Sequence, residues 1–376
     1  MVWRSVSVVD QRGEFCRLAR LEGANVSALC ARFGISRQTG YVWLSRFGRG
    51  EALTDRSRRP EHSPARSSAA TEAAVLALRD AHPAWGARKI ARRLLDLGQV
   101  PPAASTVHAI LVRNGRIGPP SGSGQAHSRF ECAAPNQLWQ MDFKGKVQLA
   151  NGEWCHTLSV IDDHSRFAVA LQACADEQTA TVRRHLERAL RIHGLPQAIY
   201  TDNGAPWGGG MPGQWTPLRV WLAKLGIALI HARPYHPQAR GKNERFHRSL
   251  KAEVFAMAAI QGLGPAQRAL QRWRQVYNHQ RPHQGIGMAV PASRYRPSPR
   301  AFPERPIEPV YDAGEIVRRV GTTKAYLSFK GRLWRVPQAF RAETLAIRPT
   351  CNNGIYTICF GALPVATIDL NAEQKL

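Results

Sequence analysis

The chain has 376 residues, and its 52 Lys and Arg outnumber 27 Asp and Glu to give a formal net charge of +25. Hydrophobic residues make up 44% of the chain, which excludes a disordered polyelectrolyte and allows several packed domains. The basic excess favours a polyanionic partner such as nucleic acid, although an Arg-rich genome composition is the alternative explanation. Seven cysteines without a C-x-x-C pair argue against a disulfide framework. No apolar run suggests a signal peptide or membrane span, so we expect a cytoplasmic, nucleoid-associated protein without a membrane partner.

Residues 1–48 have the pattern of a helix-turn-helix domain. Gly34 ends one short helix and Ser36 caps the next, whose Val42, Trp43 and Phe47 are predicted to pack inward. Two short helices joined by a tight turn place the later helix in a major groove of DNA. The first exposed residues of that helix, able to reach bases or phosphates, are predicted to be Arg37, Gln38, Thr39 and Tyr41. A small helical bundle with a polar face is the alternative.

Residues 49–70 are rich in Ser, Pro and Arg and show no apolar period, which predicts a linker. Within it, Arg58 and Arg59 could lie in a minor groove as a basic arm. A merely solvated linker is an equally good interpretation.

Residues 71–117 repeat the plan of a short helix, a turn and a longer helix, so they predict a second helix-turn-helix domain. Thr71 and Ser105 are the predicted N-caps, and Arg88 and Lys89 are predicted DNA contacts. Residues 118–135 are predicted to form a second linker.

From residue 136 to residue 296 the pattern changes to strands and then to alternating helices and strands, which predicts an α/β core with a mixed sheet. Asp142 lies inside the first strand, Asp202 follows a later strand, and Glu244 lies on a later helix. These three acids can converge at one sheet edge. The alternatives are a structural role for Asp142, a turn-forming role for Asp202, and a surface ion pair for Glu244.

A cluster of three carboxylates would repel itself without metal, so the predicted convergence argues for bound cations. Mg²⁺ suits a few carboxylates together with water and phosphate oxygens, and we expect Mn²⁺ to substitute for it. Two such ions neutralise phosphate charge and stabilise both oxygens of an in-line displacement. The rival acids Asp162 and Asp163 are assigned to turn hydrogen bonds and support of the site. The basic residues of the Glu244 helix, predicted to hold phosphates or to form a solvated face, are Lys242, Arg248 and Lys251.

Five motifs follow one another in this region: WQMDFKG, IDDHSRF, YTDNGAPW, RPYHPQARGKNERFHRSLKAE and YNHQRPHQGIGMAVPASRY. In this order they resemble the motifs of insertion-sequence transposases with a retroviral-integrase-type catalytic core. The resemblance implies an RNase H-like fold and puts the three catalytic acids of that superfamily on Asp142, Asp202 and Glu244. The chain lacks the His-His-Cys-Cys pattern of the integrase N-terminus, so we expect no zinc.

Residues 311–376 return to short strands with Gly turns, which predicts a small β-barrel that binds DNA or forms a dimer surface. The sequence as a whole therefore predicts a transposase. It would bind terminal inverted repeats, nick the 3′ end and transfer that strand into target DNA, as a homo-oligomer on double-stranded DNA. A DNA-binding regulator with an idle core and an RNase H-type nuclease are the alternatives.

Overall fold

A computed structural model describes residues 7–56, 66–118, 131–208, 214–231, 241–305 and 307–372. The chain divides into two compact units, Met1–Arg66 and Ser67–Leu376. Within the described ranges, no helix is both long and apolar enough to cross a membrane.

The first unit contains three helices, α1 (Val8–Leu18), α2 (Val26–Arg32) and α3 (Arg37–Gly48). The side chains of Asn25 and Ser36 accept hydrogen bonds from the backbone N–H groups of Ala28 and Thr39, which caps α2 and, as predicted, α3. Phe15 of α1, Cys30 of α2 and Trp43 of α3 form its buried core. Val42 does not join that core, contrary to the prediction, since 52% of it is exposed.

The second unit begins with three more helices, α4 (Ala69–Ala81), α5 (Ala87–Asp96) and α6 (Ala104–Arg113). Ser68, rather than the predicted Thr71, caps α4, and no side chain caps α6 where Ser105 was predicted to do so. The three helices share one buried apolar cluster: Val75, Trp85, Ile90, Leu94, Val107, Ile110 and Leu111.

A five-stranded mixed sheet follows, in the order β3-β2-β1-β4-β5. The first three strands form an antiparallel meander, and β4 and β5 run parallel to β1. Helices lie on both faces of this sheet. The strands are β1 (Leu138–Gln148), β2 (Trp154–Asp162), β3 (Ala168–Cys174), β4 (Ala198–Thr201) and β5 (Ala228–His231).

The alternation of β1 determines which helices meet which face. Trp139 and Met141 are buried against α7 (Thr179–His193) and α8 (Pro217–Lys224), as predicted. The intervening side chains, including Asp142, therefore face the other side. There, α9 (Gly241–Leu250), a π-helical turn (Lys251–Phe255) and α10 (Leu263–His279) cover the sheet.

The edge strand β3 is covered by side chains of α10, a helix that the sequence analysis did not predict. Gln267 accepts from the backbone N–H of Ala173, and Asn278 exchanges two hydrogen bonds with the backbone of Ala168. An open edge strand is prone to pair with other chains, so these bonds close one side of the sheet.

The C-terminal region does not form the predicted barrel. Its strands form an open four-stranded sheet in the order β11-β10-β9-β6 and a separate two-stranded ribbon of β7 and β8, not a closed sheet. This region shares an apolar cluster with Trp215 and Val220 of the α8 segment. The strands are β6 (Ile316–Arg319), β7 (Tyr326–Phe329), β8 (Arg332–Arg335), β9 (Thr344–Pro349), β10 (Ile355–Phe360) and β11 (Leu363–Asp369).

Candidate active site

Asp142 lies on β1, and Asp202 directly follows the neighbouring parallel strand β4. The β1–β4 register pairs Leu138 with Ala198 and Gln140 with Tyr200, and Asp142 and Asp202 each lie two residues beyond the last of these pairs. Paired positions of adjacent strands are about 5 Å apart and project to the same face. Asp142 and Asp202 therefore occupy equivalent positions along β1 and just past the end of β4, and the side chain of Asp142 is 25% exposed.

Turn geometry fixes Asp202 directly after β4. Its carboxylate accepts a hydrogen bond of 3.0 Å from the backbone N–H of Gly204, while its carbonyl accepts one of 2.8 Å from Nδ1 of His231. The turn-forming role that was left open for Asp202 is therefore present. A carboxylate oxygen has two acceptor sites, so this turn hydrogen bond does not by itself prevent the carboxylate from binding a cation.

Helix α9 contacts β1 through His247. Ser159, which pairs with Asp142 across β1 and β2, donates its single hydroxyl proton to the carbonyl of Asp142 at 3.1 Å. Nε2 of His247 lies 2.8 Å from the same hydroxyl oxygen. Since the proton of Ser159 is already used, Nε2 must be the donor in this contact.

The opposite ring nitrogen of His247 then faces the acid. Nδ1 lies 3.9 Å from Oδ2 of Asp142. Burial, with a smaller contribution from the charge of Lys144, lowers the pKa of His247 to about 4, so the ring is neutral near pH 7. With the proton on Nε2, Nδ1 carries a lone pair. A lone pair and a carboxylate that face each other favour a cation or a water molecule between them.

Glu244 lies one helical turn before His247, on the same side of α9. The opposite side is held by Phe246, which packs edge-on against Trp273 and Tyr277 of α10. The packing of Phe246 thus fixes the rotation of α9, and His247 on the Glu244 side approaches Asp142. The residue itself is exposed.

The structure does not assemble a complete ligand set. Over the parts of the chain that it describes, no group of three or more His, Cys, Asp or Glu side chains could hold a metal ion. The β1–β4 register sets the positions of Asp142 and Asp202 along neighbouring strands, and Glu244 lies on α9, whose His247 approaches Asp142. The donor chemistry still suits Mg²⁺, which needs only one or two protein carboxylates besides water and phosphate oxygens.

The rival acids have structural partners. Asp162 accepts from the backbone N–H groups of Asn136 and Ser165, at 2.7 and 2.8 Å. Asp163 is fully buried and accepts from Nε2 of Gln140 at 2.7 Å and from the ammonium of Lys242. Both acids therefore have the predicted structural role: Asp162 fixes the turn after β2, and Asp163 links β1 to the first turn of α9.

Lys242 pairs with Asp163, and its side chain is 20% exposed. Burial lowers the pKa of Lys242, and the hydrogen bond and charge of Asp163 oppose that effect. The predicted phosphate contact of Lys242 therefore competes with an internal ion pair. Arg248 and Lys251 are exposed, so their phosphate contacts stay a prediction.

The predicted DNA contacts of the first unit lie on one exposed helix. All four, Arg37, Gln38, Thr39 and Tyr41, are exposed on α3. The hydroxyl of Thr39 lies 2.9 Å from that of the cap residue Ser36, so it is shared between the cap and solvent. Arg58 and Arg59 lie outside the described residues.

In the second helical region, Lys89 is not placed as the predicted DNA contact. Its pKa is lowered to about 7, first by burial and then by the nearby charge of Arg281. Its neighbour on the same helix, Arg93, donates to Gln280 just after α10. Lys89 therefore belongs to the contact between α5 and the core, a placement that does not suit a DNA contact. Arg88 is exposed and stays a predicted contact.

Comparison with protein families identifies each region of the chain. A helix-turn-helix domain matches residues 11–61 and a homeodomain-like domain matches residues 39–111. Integrase core domains match residues 133–237 and 225–291. The class defined by fold and site is thus a chain that carries helix-turn-helix domains and an integrase core. The C-terminal domain of IS481 family transposases matches residues 315–376.

Two relatives come from bacterial insertion elements. An uncharacterized 31.7 kDa protein of insertion element IS407 from Burkholderia multivorans is 30% identical over 177 residues, which are 46% of this chain and 61% of that protein. An uncharacterized 39.2 kDa protein of insertion element IS476 from Xanthomonas euvesicatoria is 29% identical over 169 residues, 45% of this chain and 47% of that protein. The alignments thus span about half of each relative. These matches confirm the resemblance to insertion-sequence transposases with an integrase-type core.

A solved structure of the simian T-cell lymphotropic virus intasome, in complex with PP2A regulatory subunit B56 gamma, contains a similar chain. It has 16% sequence identity and a TM-score of 0.40, and the alignment covers 78% of this chain and 95% of that one.

Two residues of the site were missed by the sequence analysis, Ser159 and His247. Ser159 could have been found by pairing β1 with β2 across their predicted turn. His247 lies three residues after Glu244, the helical spacing for a shared face. A single Ser or His in a sequence does not indicate a role until the residue that it contacts is known.

Proposed function

We propose that this chain is a DNA transposase, in which Asp142, Asp202 and Glu244 act together to nick an element end and transfer its 3′ strand into target DNA. The observation that carries the proposal is the register of β1 and β4, which supports a shared position for Asp142 and Asp202 on one face of an integrase-type sheet. The contact of His247 with Asp142 supports the approach of the Glu244 helix to the same place.

The proposed cofactor is Mg²⁺, with Mn²⁺ as a substitute, held by the three acids. A bound divalent ion would neutralise phosphate charge and lower the pKa of a water molecule. The residues of the chain itself have separate tasks. Ser159 and His247 hold Asp142 in place, and Asp163 with Lys242 anchors the first turn of α9. Arg248 and Lys251 would contact phosphates of the bound strand.

The proposed partners are the terminal inverted repeats and the target duplex. The exposed face of α3 would read the repeats, and α6 would present a second face whose exposed residues include His108 and Val112. The net charge of +25 supports a large contribution from phosphate contacts. Two element ends must meet during transfer, so we also propose a homo-oligomer on DNA.

The test is a strand-transfer assay with the full chain, Mg²⁺ or Mn²⁺, a labelled duplex that ends in the element's inverted repeat, and a supercoiled plasmid. We expect joined products with the wild type and none above background with Glu244→Gln, while both proteins retain binding to the end duplex. Glu304→Gln is the matched control, because Glu304 is 88% exposed and lies outside the site.

Tight end binding by the wild type without nicking or joining in either metal would contradict the transposase proposal and favour a DNA-binding regulator. Cleavage of RNA–DNA hybrids without DNA joining would favour a nuclease. Full activity in Glu244→Gln would remove the third acid from the site.

A further inference from the structure

We propose that Val42 reads the C5 methyl group of a thymine in the DNA end, next to an adenine read by Gln38. The inference rests on the proposed function, because it assumes that α3 enters a major groove of DNA. It goes further by naming the chemical group that the centre of this helix recognises.

Close packing of the inner face of α3 determines which residues point outwards. A Cβ on Gly40 would lie 2.5 Å from Sγ of Cys30 and 3.0 Å from the ring of Phe15, so α3 approaches its neighbours more closely than any side chain there would allow. Trp43 is buried on the same side, with the guanidinium group of Arg12 3.9 Å above its ring. The helix has no freedom to roll and bury Val42.

The outer face is a single stripe with an apolar centre. Tyr41 is 59% exposed and Val42 is 52% exposed. They lie in a shallow surface depression of about 430 Å³, whose lining residues are Gln38, Tyr41, Val42, Ser45 and Arg49. Spaced three or four residues apart, these side chains share one helix face.

Charge at both ends of the stripe indicates the partner. Arg37 at the start of α3 and Arg49 just after its end are exposed. They are separated by about 18 Å of helix axis, so two long basic side chains can reach the backbones that border a groove about 12 Å wide. A face that is cationic at its ends and apolar at its centre fits duplex DNA better than an apolar protein surface.

The chemistry of the major groove then identifies the group. Every base edge there presents hydrogen-bond donors or acceptors, and the thymine C5 methyl is the one apolar group of unmodified DNA. A Val side chain has no hydrogen-bonding atom, so its favoured partner among the base edges is that methyl group. Gln38, one turn earlier, has the amide that pairs with N6 and N7 of adenine. Together they predict a recognition element with neighbouring adenine and thymine.

The experiment starts with selection of bound duplexes from a random synthetic pool by the full chain in EDTA. Synthetic DNA lacks 5-methylcytosine, so thymine is the only source of the methyl group. Each thymine of the selected site is then replaced, one at a time, by deoxyuridine, and Kd is measured at constant salt. We expect one replacement to weaken wild-type binding about fourfold, the value of one buried methyl group.

Val42→Ala should bind the thymine site more weakly and should lose the response to deoxyuridine at that same position. Val310→Ala is the matched control, because it removes the same atoms from a residue that is 91% exposed outside the helical domains. It should behave as the wild type does. Since Val42 is exposed, neither variant is expected to unfold the chain.

The inference is overturned if no deoxyuridine position weakens wild-type binding, or if Val42→Ala keeps the full wild-type response. A selection that yields no preferred sequence overturns it together with sequence-specific DNA binding by α3. These measurements use EDTA and require no strand cleavage. A failure of the catalytic proposal alone would therefore leave them unchanged, so the two failures can be told apart.

Discussion

Replacing Asp163 by Asn should destabilise the core and loosen the first turn of α9. The carboxylate is fully buried and accepts from three donors: the backbone N–H of Cys132 at 2.9 Å, Nε2 of Gln140 at 2.7 Å, and the ammonium of Lys242. An Asn of the same shape presents one acceptor and one donor, so at least one of these three donors would meet another donor. The ammonium of Lys242 would also lose its counter-charge.

The magnitude follows from the burial of the two partners. Breaking a buried ion pair by removing one partner costs about 3–5 kcal/mol. Because 20% of the Lys242 side chain is exposed, water can partly solvate its charge, so we expect a loss near the lower limit, about 3 kcal/mol of the free energy of unfolding. Lys242→Met should cost at least as much, because it leaves the fully buried Asp163 carboxylate with two N–H donors but without its counter-charge. The double variant should then show a coupling of roughly 1–3 kcal/mol between the two positions.

The assay is urea denaturation followed by hydrogen exchange and mass spectrometry, which separates peptides of β1, β2 and α9 from peptides of the first 66 residues. Asp312→Asn is the control, since it changes an exposed acid in the C-terminal region. A change below about 0.5 kcal/mol in Asp163→Asn, the range of ordinary surface substitutions, would refute the reasoning. Additive effects of the two substitutions would show that the ion pair does not couple Asp163 to α9.

Two further predictions concern packing and positioning. Gly40→Ala should destabilise the first unit by about 1–3 kcal/mol in thermal unfolding, because the added Cβ meets the thiol of Cys30. Gly48→Ala is the control and should be neutral or slightly stabilising, because a Cβ there meets nothing within 4 Å. Equal effects of the two substitutions would contradict the close approach of α3 to its neighbours at Gly40. His247→Ala should lower strand transfer roughly 10–100-fold without weakening end binding, whereas His247→Gln, whose amide N–H can still reach the hydroxyl of Ser159, should retain more activity. Wild-type transfer by the Ala variant, or identical losses in both, would argue against positioning of Asp142.

The helical domains show how far local pattern reasoning extends. A cap depends on residues close in sequence, and the predicted cap Ser36 is confirmed. The predicted caps Thr71 and Ser105 were wrong, since Ser68 caps α4 and no side chain caps α6. The inward packing of Val42 was wrong because an apolar residue on a short helix has two possible faces. The tight contact at Gly40, which comes from a different helix, selected between them.

In the core, the three acids were predicted from motifs and from the cost of an acid inside an apolar strand, and the register of β1 with β4 supports the pairing of two of them. The closure of the C-terminal strands into a barrel was wrong. An alternating pattern predicts strands and their faces, but it does not show which strands pair with each other. It therefore cannot predict whether the edge strands pair and close the sheet.

The sequence by itself determined the order of the domains, the alternation that turns Asp142 away from the Trp139 face, and the basic excess that calls for a polyanion. Only the tertiary structure decided the partners. Lys242 is held by Asp163, Arg93 of α5 donates to Gln280, and His247 approaches Asp142. These contacts join residues that are distant in sequence, so their geometry depends on how whole helices pack on the sheet, a property that no local spacing records.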